Sequence, residues 1–131
     1  MKILFHAWGD EGISATHKTT FEITKDDFVT AAGDCIIGIS SDFDGKKLKE
    51  FVKNYSRVRI TLRTGALKEI VYADTNSAFD DDRELVVRMG EHVDKRTFAI
   101  HADKSAKYLD REFVRALKAG SPMGVDIEAV E

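Results

Sequence analysis

Hydrophobic and polar residues alternate with a period of two along much of the chain, and each alternating run predicts a strand. Lys2 to Trp8 sets Ile3, Phe5 and Ala7 against Leu4, His6 and Trp8. Ile13 to Ile23 places Ile13, Ala15, His17, Thr19, Phe21 and Ile23 on one face, an inward face that carries a histidine. Arg57 to Arg63 turns Val58, Ile60 and Leu62 inward and Arg57, Arg59, Thr61 and Arg63 outward, and a turn at Thr64-Gly65 joins it to Leu67–Asp74 as a hairpin. Cys35-Ile36-Ile37-Gly38-Ile39 is unbroken apolar sequence, the pattern of a strand covered on both faces. Glu84–Met89, Thr97–Ala102 and Val125–Val130 complete the set of strands.

The period changes in two places. Leu48, Phe51, Val52 and Tyr55 are spaced as one stripe of a helix from about Lys46 to Asn54. Leu109, Phe113, Ala116 and Leu117 do the same for Ser105 to Lys118, with Gly120 and Pro122 ending that helix. A third, short helix is expected after Thr24, because Thr24 and Asp27 have the spacing of a helix start and Gly33 offers a left-handed stop. These elements predict an α+β fold: mostly antiparallel sheet or barrel-like strands, with two main helices. A doubly wound parallel sheet does not fit their order. Cys35–Val52 also echoes Arg96–Phe113 at a constant offset of 61, matching Ile39 with Ile100, Asp42 with Asp103, Lys46 with Lys107 and Leu48 with Leu109. The echo suggests an internal pseudo-twofold duplication in which Asp42 and Asp103 each cap a helix, and it pairs Ser40 with His101.

At 131 residues the chain is read as one globular domain, residues 1–131, long enough to bury its own core without a metal or disulfide. Its single cysteine fits a reducing cytoplasm. The apolar run in MKILFHAWGDE is too short for a signal peptide or membrane span. The net charge of −3 hides a local excess. Lys46, Lys47, Lys49, Lys53, Arg57, Arg59 and Arg63 stand against Glu50 alone between Gly45 and Arg63.

Three motifs, ATHKTTFEITKDDF, GDCIIGI and HADKSAKYLDREFVRAL, resemble a family of archaeal proteins grouped as domain of unknown function 371, and the resemblance runs the length of the chain. It implies a cytoplasmic single-domain protein and brings no catalytic residues with it. A Gly-His pair in that family stands where this chain has Gly9-Asp10, so a histidine role at that place does not transfer.

Candidate chemistry falls into two groups. His17, Asp34 and Cys35, with His101, are the candidates for a small catalytic pocket at the Gly33 turn, although a cysteine opening an apolar strand is more often a core residue. Lys46, Lys49, Lys53, Arg57, Arg59 and Arg63 form a basic stripe suited to RNA, a nucleotide or another phosphate compound. The stripe has no interleaved aromatics, and Glu69 or acids from another strand would neutralise it. No metal-ligand spacing, phosphate loop or nucleophile elbow occurs, so no metal or cofactor is expected. The leading expectation is a binding module for an anionic ligand. A small enzyme is the alternative, and a subunit of a larger assembly, or a homo-oligomer joined through strand edges, is the third reading.

Overall fold

A computed structural model describes residues 1–130. Eight strands run β1 (Lys2–Trp8), β2 (Thr20–Thr24), β3 (Ile36–Gly38), β4 (Arg57–Thr64), β5 (Leu67–Thr75), β6 (Glu84–Arg88), β7 (Thr97–Ile100) and β8 (Pro122–Ala129). Helix α1 (Gly45–Asn54) precedes β4, and helix α2 (Arg111–Lys118) precedes β8. The strands form one mostly antiparallel sheet, ordered β1-β8-β4-β5-β7-β6-β2-β3. Among the described residues, only β2 with β3 and β6 with β7 pair parallel. The sheet is not closed into a barrel: its end strands meet only where Trp8 and Ile39 exchange two backbone hydrogen bonds of 2.8 Å.

Inward residues of every strand join one apolar core. Ile3, Phe5 and Ala7 of β1 meet Val58, Ile60 and Leu62 of β4, Val71 and Ala73 of β5, and Val125 and Ile127 of β8. Leu48 and Phe51 of α1 and Phe113 and Leu117 of α2 enter the same core. Gly9 permits the close approach of α2, because a Cβ there would lie 1.9 Å from the Leu117 carbonyl oxygen.

The internal echo is real in the backbone. Trp8–Ile39 and Asp74–Ile100 are equivalent pairs. The Glu22 N–H donates to the Cys35 carbonyl as Val86 does to Arg96, Ser40 donates to Asp26 as His101 does to Gly90, and Gly9 donates to Ser121 as Thr75 does to Ser56. Equivalent strands β2 and β6 pair antiparallel with Glu22 opposite Val86, its own counterpart, as a two-fold relation requires. Ser40 and His101 share an unusual left-handed backbone, with φ of 52° and 53°. Because both halves adopt it, the strain belongs to the shared architecture rather than to one histidine.

Four expectations need correction. Asp42 and Asp103 cap no helix; each clamps a neighbouring strand. Asp42 Oδ1 accepts from the His6 N–H at 2.6 Å while its own N–H donates to the His6 carbonyl, and Asp103 does the same to Tyr72 at 3.1 Å. The caps are Asp44 and Asp110, whose carboxylates accept from Lys46 and Glu112. The helix expected from Ser105 is broken into a 3-10 turn at Ala106–Tyr108 and α2, because Leu109 is extended and Asp110 is non-helical. That break shifts the offset, so Lys46/Lys107 and Leu48/Leu109 are not structural equivalents. No helix follows Thr24: its hydroxyl accepts from the Asp26 N–H in a local turn, and the backbone at Lys25 and Asp26 bonds to Arg83 and Ser40 instead. Gly33 has no left-handed φ; a Cβ there would crowd Thr30 Oγ1 at 2.9 Å. The fourth correction concerns Ile13 to Ile23, where only Thr20–Thr24 is strand and Ala15 takes φ 50°.

The clamps make a direct expectation. Asp103→Ala leaves a strand-edge N–H without its acceptor and lowers unfolding stability by about 1–3 kcal/mol, while Asp103→Asn, which keeps an acceptor oxygen, costs less than half of that. Urea denaturation of both variants is the check.

Candidate functional site

Two surfaces concentrate polar chemistry. One is the outer face of β1, β8, β4 and β5, which no helix covers. Strand register builds it in rows: Lys2, Glu128, Arg59 and Tyr72 lie side by side; Leu4, Asp126, Thr61 and Ile70 follow; His6, Gly124, Arg63 and Lys68 make the next. Leu4 is 64% exposed, Trp8 41% and Tyr72 36%. The basic stripe therefore does have aromatic neighbours, contributed by β1 and β5 across the sheet rather than by the stripe's own sequence.

The arginines of β4 are each met by an acid. Arg57 reaches Asp74 at 2.7 Å, Arg63 reaches Asp126 at 3.0 Å, and Arg59 pairs with Glu128. Lys49 pairs with Asp80 at 2.8 Å. Lys46 and Lys53 stand exposed on α1 with no ion-pair partner among the described residues. Glu69 takes no part in neutralising the stripe: it accepts from Lys104 and from the Asp110 N–H, both at 2.8 Å. His101 lies on the same side of β5, its Nδ1 2.8 Å from Asp74 Oδ2. Hydrogen bonds from His101 and then Arg57 hold the Asp74 carboxyl below its ordinary value.

The second surface lies at the crossing of the two halves. Glu22, 7% exposed, stands mid-strand on the face of β2 opposite the core residues Phe21 and Ile23. Its carboxyl lies 3.8 Å from the Arg96 guanidinium, which also donates to Glu84 at 3.2 Å and so brings the two carboxyls to one cation. Cys35 Sγ is 4.0 Å from Glu22 Oε1. Burial, reinforced by Glu84, pushes the Glu22 carboxyl up to about 8, so it is largely protonated at neutral pH. Burial, with Glu22 and Asp34 adding to it, pushes the Cys35 thiol up to about 11. A thiol held there is a poor nucleophile.

The catalytic candidates do not assemble as a group. His17 is half-buried and outside the apolar core: its Nδ1 accepts from the Thr19 and Thr20 N–H groups at 3.2 and 3.1 Å, closing a turn into β2. Asp34 touches His17 through backbone alone, its carbonyl accepting from Thr16 and His17. No hydrogen bond joins the side chains of His17, Asp34, Cys35 and His101 to one another among the described residues. Sequence reasoning missed Glu22, whose place on the polar face of an alternating strand reads as solvent-exposed. The signal lay next door: a strand apolar on both faces implies cover on both sides, and β2 is its neighbour.

The motifs noted in the sequence do converge through backbone. Arg111 donates to the carbonyls of Ala15, Ala106, Lys107 and Leu109, and Ser105 Oγ donates to those of His17 and Lys18. Comparison with known proteins likewise spans nearly the whole chain. A family model described as "Domain of unknown function (DUF371)" matches residues 5–130. A protein of the archaeon Methanocaldococcus jannaschii, "Uncharacterized protein MJ0206", is 33% identical over 129 residues, covering 94% of this chain and 96% of its own length. No helix among the described residues is long and apolar enough to cross a membrane.

Raised folded-state protonation gives Glu22 a definite pH signature. The folded form holds a proton that the unfolded chain releases near 4.5, so the stabilisation is complete below that value and is lost as pH climbs towards about 8. The melting temperature of the wild type falls across this window relative to Glu22→Gln, whose amide does not ionise. Parallel pH dependence in the two proteins contradicts the assignment. Cys35 supplies a second check: in the native protein at pH 7.5, iodoacetamide modifies it at least tenfold more slowly than after unfolding.

Proposed function

The chain belongs to the DUF371 family, and we propose that within it this protein is a binding module for an anionic ligand, received on the open face of β1, β8, β4 and β5. The observation that carries the reading is the row structure of that face, which sets Arg59 beside Tyr72 and Arg63 in line with His6. Five cations, Lys2, Arg57, Arg59, Arg63 and Lys68, share it with three acids, Asp74, Asp126 and Glu128. The Arg57–Asp74 and Arg59–Glu128 pairs are exposed enough to contribute at most about 1 kcal/mol each, whereas Arg63 meets the more buried Asp126 from a half-exposed guanidinium. A paired guanidinium keeps further N–H donors, so a phosphate is met without the carboxylate being given up. Lys46 and Lys53 of α1 carry unpaired charge that adds to the attraction without being required at the face. A cytoplasmic location is part of the same proposal, supported by the lone unpaired Cys35.

A second reading, a small acid–base enzyme, draws its support from Glu22, a buried carboxyl protonated at neutral pH beside Arg96. Its acid would be Glu22 rather than His17, Asp34 or Cys35. The binding reading ranks first because its groups face solvent.

The test is equilibrium binding of oligouridylate and of inorganic polyphosphate at two or more salt concentrations. Affinity falls as salt rises. Replacing Arg57, Arg59 and Arg63 together by alanine weakens binding at least tenfold and reduces the slope of log affinity against log salt by about 2. Unchanged affinity and slope in that triple variant overturn the proposal.

A further inference from the structure

Gly124 lies in the interior of β8, where a glycine weakens a strand and leaves nothing to pack. A Cβ built at this position meets no atom within 4 Å. It faces outward, between His6 of β1 and Arg63 of β4 in register. The result is a hollow in the sheet surface, floored by backbone, with an imidazole on one side and a guanidinium on the other. Trp8 stands two residues beyond His6 on the same face, their ring centroids 6.4 Å apart and their planes tilted by 40°. Leu4 stands on the opposite side of His6 along the same strand face.

Architecture alone does not ask for these residues. In the other half of the molecule the counterpart of Trp8 is Asp74, that of His6 is Tyr72, and that of Gly124 is Arg59, in the register fixed by the paired bonds Gly9–Ser121 and Thr75–Ser56. The same fold is thus built with a carboxylate in place of the indole and a long cationic side chain in place of the glycine. Fold stability explains neither an indole left 41% in water nor the missing side chain beside it.

Resting on the reading of this face as an anion-binding surface, we infer that the Gly124 hollow receives a base of single-stranded nucleic acid, stacked against Trp8 and His6, while Arg63 takes the adjoining phosphate. Every base has a π face, so stacking on an indole recognises a base without specifying which one. Arg63 reaches its neighbour Asp126 at 3.0 Å while remaining about half exposed, which leaves guanidinium donors directed to solvent at the edge of the hollow. A bare polyanion satisfies the arginines and leaves the hollow empty. A nucleic acid fills both, and the difference between them isolates the hollow.

Trp8 is the sole tryptophan of the chain, so its emission reports the site directly. Oligouridylate and inorganic polyphosphate of matched charge are titrated against the full chain, following Trp8 fluorescence and the anisotropy of a labelled oligonucleotide. Oligouridylate is expected to quench Trp8 and to bind at least tenfold more tightly than polyphosphate. Gly124→Leu, which fills open space and leaves the fold signal in circular dichroism unchanged, removes that excess, as does Trp8→Ala; Trp8→Phe restores part of it. Equal affinity for the two ligands without quenching overturns the hollow as a base site and leaves anion binding standing. Failure of both ligands to bind overturns both.

Discussion

Antiparallel pairing of two strands with their own counterparts, β2 with β6 and β4 with β8, is the constraint from which the other features descend. Once Glu22 is opposite Val86 and Thr61 opposite Asp126, the second half is placed by rotation of the first. Each half then needs its third strand tied to its first, and Asp42 and Asp103 supply the tie by offering a carboxylate and a backbone N–H to His6 and Tyr72. These are hydrogen bonds between a charged acceptor and a strand-edge N–H, the stronger class of hydrogen bond. The left-handed residues Ser40 and His101 turn the chain into that position in both halves.

A repeated framework separates what the fold requires from what it merely tolerates. Positions where both halves agree, such as Ile39 and Ile100 or Asp42 and Asp103, are architecture. Positions where they disagree without structural need are where function is to be sought. By that criterion Glu22, set against Val86, and Trp8 with Gly124, set against Asp74 and Arg59, stand out from the rest of the surface. Glu22 is the more costly of these, because burying a carboxyl beside a second carboxyl disfavours ionisation and stores a pH dependence where β2 meets β6.

Local signals in the sequence were strong where one physical effect dominated. Alternation in Lys2–Trp8 and the helical stripe of Leu48, Phe51 and Val52 survive intact, and Arg57–Arg63 keeps its inward set although Thr61 on the outer side is buried as well, because burial of one face outweighs everything else there. Reading failed where a side chain had two possible backbone partners. Thr24 looked like a helix start, yet the sheet claimed the backbone after it; Asp103 looked like a cap, yet a strand edge lay nearer. Cross-strand neighbours are invisible to any local rule. Tyr72 beside Arg59, and Gly124 between His6 and Arg63, depend on a register linking residues far apart in the chain, and the binding face is made of such pairs.

Its composition also explains why charge counting along the sequence misled in both directions. The basic stripe is less free than it reads, since acids of β5 and β8 meet each arginine, and less bare of aromatics than it reads, since β1 and β5 border it. The most direct measurement is a backbone amide chemical-shift map of the protein with and without oligouridylate. The account predicts shifts concentrated at Leu4–Trp8, Arg59–Arg63, Tyr72 and Gly124–Glu128. Shifts gathered instead around Glu22, Glu84 and Arg96, with the open face silent, contradict it.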